Sequence, residues 1–161
     1  MSNPNKQKGT AAESALVSYL VANGWPSAER RALRGEFDAG DVTGTPGLCW
    51  EVKAGIQCNR PTPKVLADWM VETEIERVNA AAEIGLLVLR VPGIGPAQAG
   101  RWPTYMTVDA LAGLATDAPV LAAVTEPLAT APVQLTLASA CGLLVAAGYG
   151  TPPKNGANRA A

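Results

Sequence analysis

Histidine does not occur anywhere in this chain of 161 residues. Its absence removes the Ser-His-Asp and Cys-His nucleophile systems, zinc sites built on imidazole, and every nuclease motif that relies on a histidine base. Cysteine is scarce too: Cys49, Cys58 and Cys141 are odd in number and form no Cys-x-x-Cys pair. Neither a disulfide framework nor a zinc ribbon is expected, the compartment should be reducing, and Cys49 reads as packing. No apolar run is long enough to span a bilayer, the longest lying around residues 135–147, and the first six residues are polar with no apolar signal segment. A soluble, cytoplasmic protein with no membrane contact is expected. Net charge is −1, so no global basic field advertises a polyanion, and any phosphate contact must come from a local cluster.

What remains is carboxylates, lysine and a hard metal. The segment Leu48-Cys49-Trp50-Glu51-Val52-Lys53 reads as a strand. Side chains alternate across a strand, so Glu51 and Lys53 share one face while Trp50 and Val52 enter a core. A Mg²⁺-type ion takes a few carboxylate and carbonyl oxygens and keeps several waters, so acids from two or three elements suffice. Asp41, Glu51, Glu13 and the Val52 carbonyl offer such a set, with Mn²⁺ expected to substitute for Mg²⁺. Lys53 beside them is placed to orient an attacking water and to offset charge on a phosphate. Each residue also has a plainer reading. Glu51 and Lys53 can be a solvated ion pair of small energetic value. Asp41, in Gly40-Asp41-Val42-Thr43-Gly44, can be a turn aspartate bonded to its own backbone. Thr10-Ala11-Ala12-Glu13 fits a capping box, although Glu13 also shares a helical face with Leu16, Val17 and Leu20, and an inward glutamate needs a partner. The conjunction of all four favours a metal site.

Length and composition, with 48% hydrophobic residues, suit one domain with its own core. A helix is expected over residues 11–22, stopped at Asn23-Gly24, then strands over 27–33, 39–43 and 48–53 as a three-strand meander. A Gly- and Pro-punctuated loop over 54–63 leads to a helix over 64–82, with Leu66, Trp69, Met70 and Thr73 inward and Glu72, Glu74, Glu76 and Arg77 largely outside. The apolar run 85–91 reads as a strand buried on both faces, and 105–108 as its partner. The loop over 97–102 is either a DNA-contacting tip or a solvated hairpin loop, and a short helix over 109–114 closes the core. Residues 116–134 read as an irregular connector, 135–149 as an apolar C-terminal helix covering its own domain or a second subunit, and 150–161 as a disordered tail. Through residue 64 the basic residues are Lys6, Lys8, Arg30, Arg31, Arg34, Lys53, Arg60 and Lys64, whereas 72–83 is mostly acidic. Charge is thus segregated toward the candidate site.

Over residues 8–108 the chain resembles the PD-(D/E)xK nucleases, and among them the archaeal-type Holliday junction resolvases and their phage-encoded relatives. The resemblance rests on Lys8-Gly9 with Glu13, Leu16 and Leu20, then Gly24-Trp25, Arg30, Asp41-Val42 with Gly44, Glu51-Val52-Lys53 after Leu48-Cys49, the strand 86–91, and 102–108. It implies an α/β fold, restriction-endonuclease-like, with a mixed central sheet flanked by helices in the order α-β-β-β-α-β over residues 1–115. It also implies that Glu13, Asp41 and Glu51 gather the metal, that Lys53 is the catalytic lysine, and that Arg30, or Arg31 one register away, is the family's strand arginine. The sequence departs from the family where Glu36-Phe37-Asp38-Ala39-Gly40 replaces a serine and basic residues, with Asp38 a possible extra ligand, and in everything after residue 115. The implied activity is metal-dependent resolution of branched DNA by a homodimer, without an organic cofactor, in the bacterial host cytoplasm if phage-encoded. Arg30, Arg31, Arg34, Arg60, Lys64 and Lys8 would grip the backbone. The alternatives are a nickase, flap or end-processing nuclease of the same superfamily, a silent DNA-binding module with the same fold, and acids that serve only structural ion pairs.

Overall fold

The computed structural model describes residues 4–32, 38–114 and 127–152. Helix α1 runs Pro4–Ala22, and Ala12, Leu16 and Leu20 line up four residues apart, fully buried. The helix starts well before residue 11. Thr10 is therefore inside it, with its carbonyl accepting the Ser14 hydroxyl at 2.9 Å, and the expected capping box does not form because a cap needs non-helical backbone. The helix ends as expected, with the Trp25 N–H returning to the Leu20 carbonyl at 3.0 Å.

Strands β1 (Glu29–Arg30) and β2 (Val42–Thr43) pair antiparallel over two residues each, shorter than expected. Residues 33–37 lie outside the described residues. β2 does not continue as a ladder onto β3 (Leu48–Ala54), so the expected meander is not one sheet. The reason is local: Gly40 and Gly44 bend the chain on either side of β2 with φ of +85° and +77°. A Cβ on Gly44 would stand 1.8 Å from the Ser27 carbonyl oxygen, so only glycine lets the two segments approach.

The main sheet has the order β3-β4-β5-β6, with β4 at Ile84–Arg90, β5 at Pro103–Thr107 and β6 at Pro132–Thr136. β3 and β4 are parallel, Glu51 opposite Leu87, and are joined through helix α2 (Pro63–Asn79); β4–β5 and β5–β6 are antiparallel. The chain is thus mixed α/β, a four-stranded mixed sheet flanked by helices, and the order α-β-β-β-α-β holds through β4. β4 accounts for the apolar run: Leu86 and Val88 join Leu16, Leu20 and Trp50 on one face, while Leu87 and Leu89 join Met70 under α2 on the other. Trp69 packs against that second cluster, as core rather than as a stacking platform.

Helices α3 (Val108–Leu114) and α4 (Leu137–Ala146) follow β5 and β6. Residues 116–126 of the expected connector lie outside the described residues, but its end is a strand, and the helix expected from residue 135 begins at Leu137. β6 escapes a pattern reading because it starts at a proline on the sheet edge and alternates only between exposed and half-buried side chains. α4 packs on its own chain, with Leu137, Ala140, Cys141 and Leu144 buried among Leu16, Leu20 and Trp102. The loop over 97–102 coils as a 3-10 segment, Pro96–Arg101, that buries Ala99 and brings Gly100 against the Tyr19 ring, while Ala97, Gln98 and Arg101 stay exposed. The start of the expected disordered tail is pinned, the Thr151 N–H donating to the Gly24 carbonyl at 2.8 Å, and residues 153–161 lie outside the described residues. Among the described residues no helix is long and apolar enough to cross a membrane.

Because α4 completes the core in cis, Leu144→Ala is expected to cost about 2–5 kcal/mol. Leu143→Ala, at a side chain 41% exposed, should stay within about 0.5 kcal/mol. Urea unfolding of the two variants checks this, and equal effects would remove the assignment of α4 to this core.

Candidate functional site

β3 is an edge strand of the main sheet, and its two faces have different tasks. Trp50 and Val52 point into the core shared with α1, whereas Glu51 and Lys53 point toward α2. The Lys53 ammonium lies 2.8 Å from Glu51 Oε1, as the spacing predicts, and also 2.8 Å from Glu72 Oε2 on α2. This is not a solvated pair, because Glu51 is only 7% exposed. Burial works to lower the pKa of Lys53, but Glu51 and Glu72 outweigh it and raise the pKa, so the ammonium stays charged.

Asp41 reaches β3 along its free edge. Its N–H donates to the Trp50 carbonyl at 2.7 Å, and its Oδ2 accepts the Val52 N–H at 2.8 Å. The turn reading of Asp41 therefore falls: its side chain bonds a residue eleven positions away, and the local bond is made instead by Asp38 Oδ1, which accepts the Gly40 N–H at 3.2 Å. Gly40 makes the approach sterically possible, since a Cβ there would lie 2.9 Å from the Trp50 carbonyl oxygen and 2.7 Å from Cys49 Sγ. The N–H and C=O of one strand residue share an edge, so the Val52 carbonyl borders the same space as its N–H. Cys49 is packing, with burial pushing its thiol up to about 12.

Glu13 comes from α1, and its partner is Arg30. Arg30 Nε donates to Glu13 Oε2 at 2.8 Å, and the Nη2 group donates to the same oxygen. Arg30 thus faces the site, while the Arg31 side chain is exposed and its N–H holds the Asp41 carbonyl at 2.8 Å. One acid escaped the sequence reading. Glu76, expected on the outside of α2, is 7% exposed, lies within hydrogen-bond reach of Glu51, and has a buried Oε2 with no hydrogen-bond partner. The signal was available in its spacing, three residues past buried Thr73 and six past buried Met70.

The result is a crowd of like charges, in which Glu13, Asp41, Glu51, Glu72 and Glu76 are set, among the described residues, against the paired cations Arg30 and Lys53. Burial, reinforced by Glu51 and Glu13, pushes Asp41 up to about 8, even though the Val52 N–H favours its charged form. Burial pushes Glu51 up to about 7, with Glu76 adding to the rise and Lys53 opposing it. Glu76 is raised as well, first by burial. Among the described residues no three acid or thiol groups already converge on one point as a closed coordination shell would. The donor set nevertheless fits a hard divalent cation: carboxylate oxygens in excess of cations, half removed from water, one of them without any partner. Asp41, Glu51 and the Val52 carbonyl would hold it, with Glu76 next to Glu51 and Glu13 tied to Arg30.

The residues expected to contact a phosphate backbone are more dispersed. Lys8 on α1 and Arg60 before α2 are exposed and make no ion pair among the described residues, whereas Lys64 is paired with Asp68 at 2.7 Å. Arg34 lies outside the described residues. Comparison of the chain with known protein families, with curated proteins and with solved structures finds no match in any of the three.

These carboxyls bind protons in the folded chain that they release when it unfolds, because their folded pKa values lie above the ordinary carboxylate range. Stability of the metal-free chain should therefore fall as pH rises from about 4, most steeply between about 5 and 7 and levelling off above about 8, by on the order of 2 kcal/mol or about 6 °C in Tm between pH 5 and pH 8. Thermal unfolding in chelator checks this, and Glu76→Gln should flatten the slope. A stability that rises over the same window would mean the acids are not crowded.

Proposed function

We propose that this chain is a metal-dependent, structure-selective DNA endonuclease with the restriction-endonuclease-like PD-(D/E)xK arrangement, which resolves four-way junctions by hydrolysing one phosphodiester per subunit. The single observation that supports this most is the meeting of Asp41 with Glu51 and Lys53, ten and twelve residues further along the chain, at β3 in a site with more carboxylates than cations. Structural ion pairs alone would not gather carboxylates in excess of cations around a half-buried site, with Glu76 Oε2 left without a partner. The resemblance to archaeal-type Holliday junction resolvases narrows the substrate to branched DNA, and two symmetric cuts call for a homodimer with two-fold symmetry.

A bound Mg²⁺, or Mn²⁺ in its place, would activate water and neutralise charge developing on the phosphate. The chain's own residues do the positioning. Asp41 is oriented by the Val52 N–H, and Glu51 by Lys53. Lys53, kept protonated between two carboxylates, directs its ammonium at the attacking oxygen and the phosphate. Arg30 holds Glu13 in place beside Asp41, and so orders the acid set rather than gripping DNA with its full charge.

The decisive measurement is cleavage of a labelled four-way junction beside linear duplex, single strand and flap, with Mg²⁺ and with chelator. Paired symmetric cuts in the junction alone are expected. Cutting of flaps or ends instead would assign another nuclease of the same superfamily, and binding without any cut would assign a silent DNA-binding module. Asp41→Asn and Glu51→Gln should each abolish metal-dependent cutting while junction affinity is largely kept, and full activity in either variant would remove the metal site. Lys53→Ala should lower turnover by at least about 100-fold with little change in affinity; a loss confined to affinity would make Lys53 a phosphate clamp.

A further inference from the structure

The C-terminal ends of β3 and β4 open into a groove of about 620 Å³ that the nuclease reading above leaves unused. Ala54 and Arg90, register partners at the two strand ends, form its floor, and Lys8 from α1 forms one wall. Arg90 Nη1 donates to the Lys8 main-chain carbonyl at 3.4 Å, which ties the half-buried guanidinium to the turn of α1 that carries the exposed Lys8. Among the described residues the lining contains these two cations and no acid, in contrast to the carboxylate-rich site on the same strand. Gly55, Gly93 and Gly95 leave the rim bare of side chains, with no atom within 4 Å of where a Cβ would stand, and Ile56 projects at the rim with 79% exposure. The groove and the site share two elements: Lys8 lies on α1 five residues before Glu13, and Ala54 lies on β3 three residues after Glu51.

We infer that this groove is the track for the DNA strand flanking the cleaved bond, with Lys8 and Arg90 each holding a backbone phosphate. The inference rests on the nuclease reading and adds to it where the substrate strand leaves the site. Ala54 lies three residues beyond Glu51 on β3, about 10 Å at ~3.3 Å per residue, which equals the axial rise of about three base pairs of duplex at ~3.4 Å each. A groove with cations and no acids attracts a polyanion, and bare glycine backbone lets a sugar-phosphate chain approach closely. Arg90 presents a rigid fork of donors suited to phosphate oxygens, Lys8 a mobile point charge, and Ile56 an apolar surface for a sugar or base.

The test is junction binding by the full chain, followed by fluorescence anisotropy in chelator from about 50 to about 200 mM salt, for wild type, Lys8→Gln, Arg90→Gln, the double variant and Arg90→Lys. Each neutralising variant should flatten the slope of log K against log salt by about 1, and the double variant by about 2, with at least a tenfold loss of affinity at low salt. Arg90→Lys should restore most of the slope, which a merely structural arginine would not do. A double variant that binds the junction with the wild-type slope overturns the track while leaving the nuclease reading intact. Equal affinity for polyglutamate overturns the choice of DNA as occupant. Absence of DNA binding by the wild-type chain overturns both.

Discussion

The free edge of β3 governs this structure. An edge strand leaves a row of N–H and C=O groups unpaired, and here the row is closed by one residue, whose main chain bonds Trp50 and whose carboxylate bonds Val52. Because Asp41 closes the strand with its side chain as well as its backbone, the acid is held beside Glu51. Gly40 and Gly44 serve the same end, since backbone bent at positive φ is what lets a short hairpin swing against β3. The core stands behind this edge, with Trp50 and Val52 anchored under α1 so that Glu51 and Lys53 cannot rotate away.

The acids brought together in this way work against folding. A carboxylate half removed from water and next to another is disfavoured in its charged form, and Lys53 and Arg30 offset only part of that cost. Protons take up the rest near neutral pH, and a hard cation is the other species that relieves it. The buried Oε2 of Glu76, with no partner, marks the same imbalance from the α2 side. Natural chains accept such local cost where function needs it. The cationic groove at the strand ends is the complement: the site concentrates negative charge and its neighbour concentrates positive charge, on a chain whose total is −1.

Much of the framework was legible in the residues. The run over 85–91 declared a strand buried on both faces because every position before Arg90 is apolar or small, and Glu51 and Lys53 declared a shared face because strand periodicity is two. Other features were not legible for physical reasons. Thr10 and Glu13 mimic a cap inside α1, while the true partner of Glu13 is seventeen residues away. β6 was missed because an edge strand that starts at a proline carries little apolar pattern. Glu76 was assigned outward by its charge, although its spacing from Thr73 and Met70 places it inward; residue type overrode periodicity where periodicity was right.

Sequence alone determined the chemistry that this chain has to work with: carboxylates and one strand lysine in place of histidine, core-forming runs at strand and helix periods, and glycines where the backbone must bend. These are local properties, set by residue type and by spacing of a few positions. Tertiary structure alone decided which acids meet. Asp41 joins Val52, Glu13 joins Arg30, and Glu76 joins Glu51 across separations that no periodicity encodes. It likewise decided that Arg30 and not Arg31 faces the site, that α4 closes its own core, and that Lys8 and Arg90 border one groove. Such contacts depend on how layers stack around the sheet, and stacking is fixed by the burial of the whole chain rather than by any segment of it.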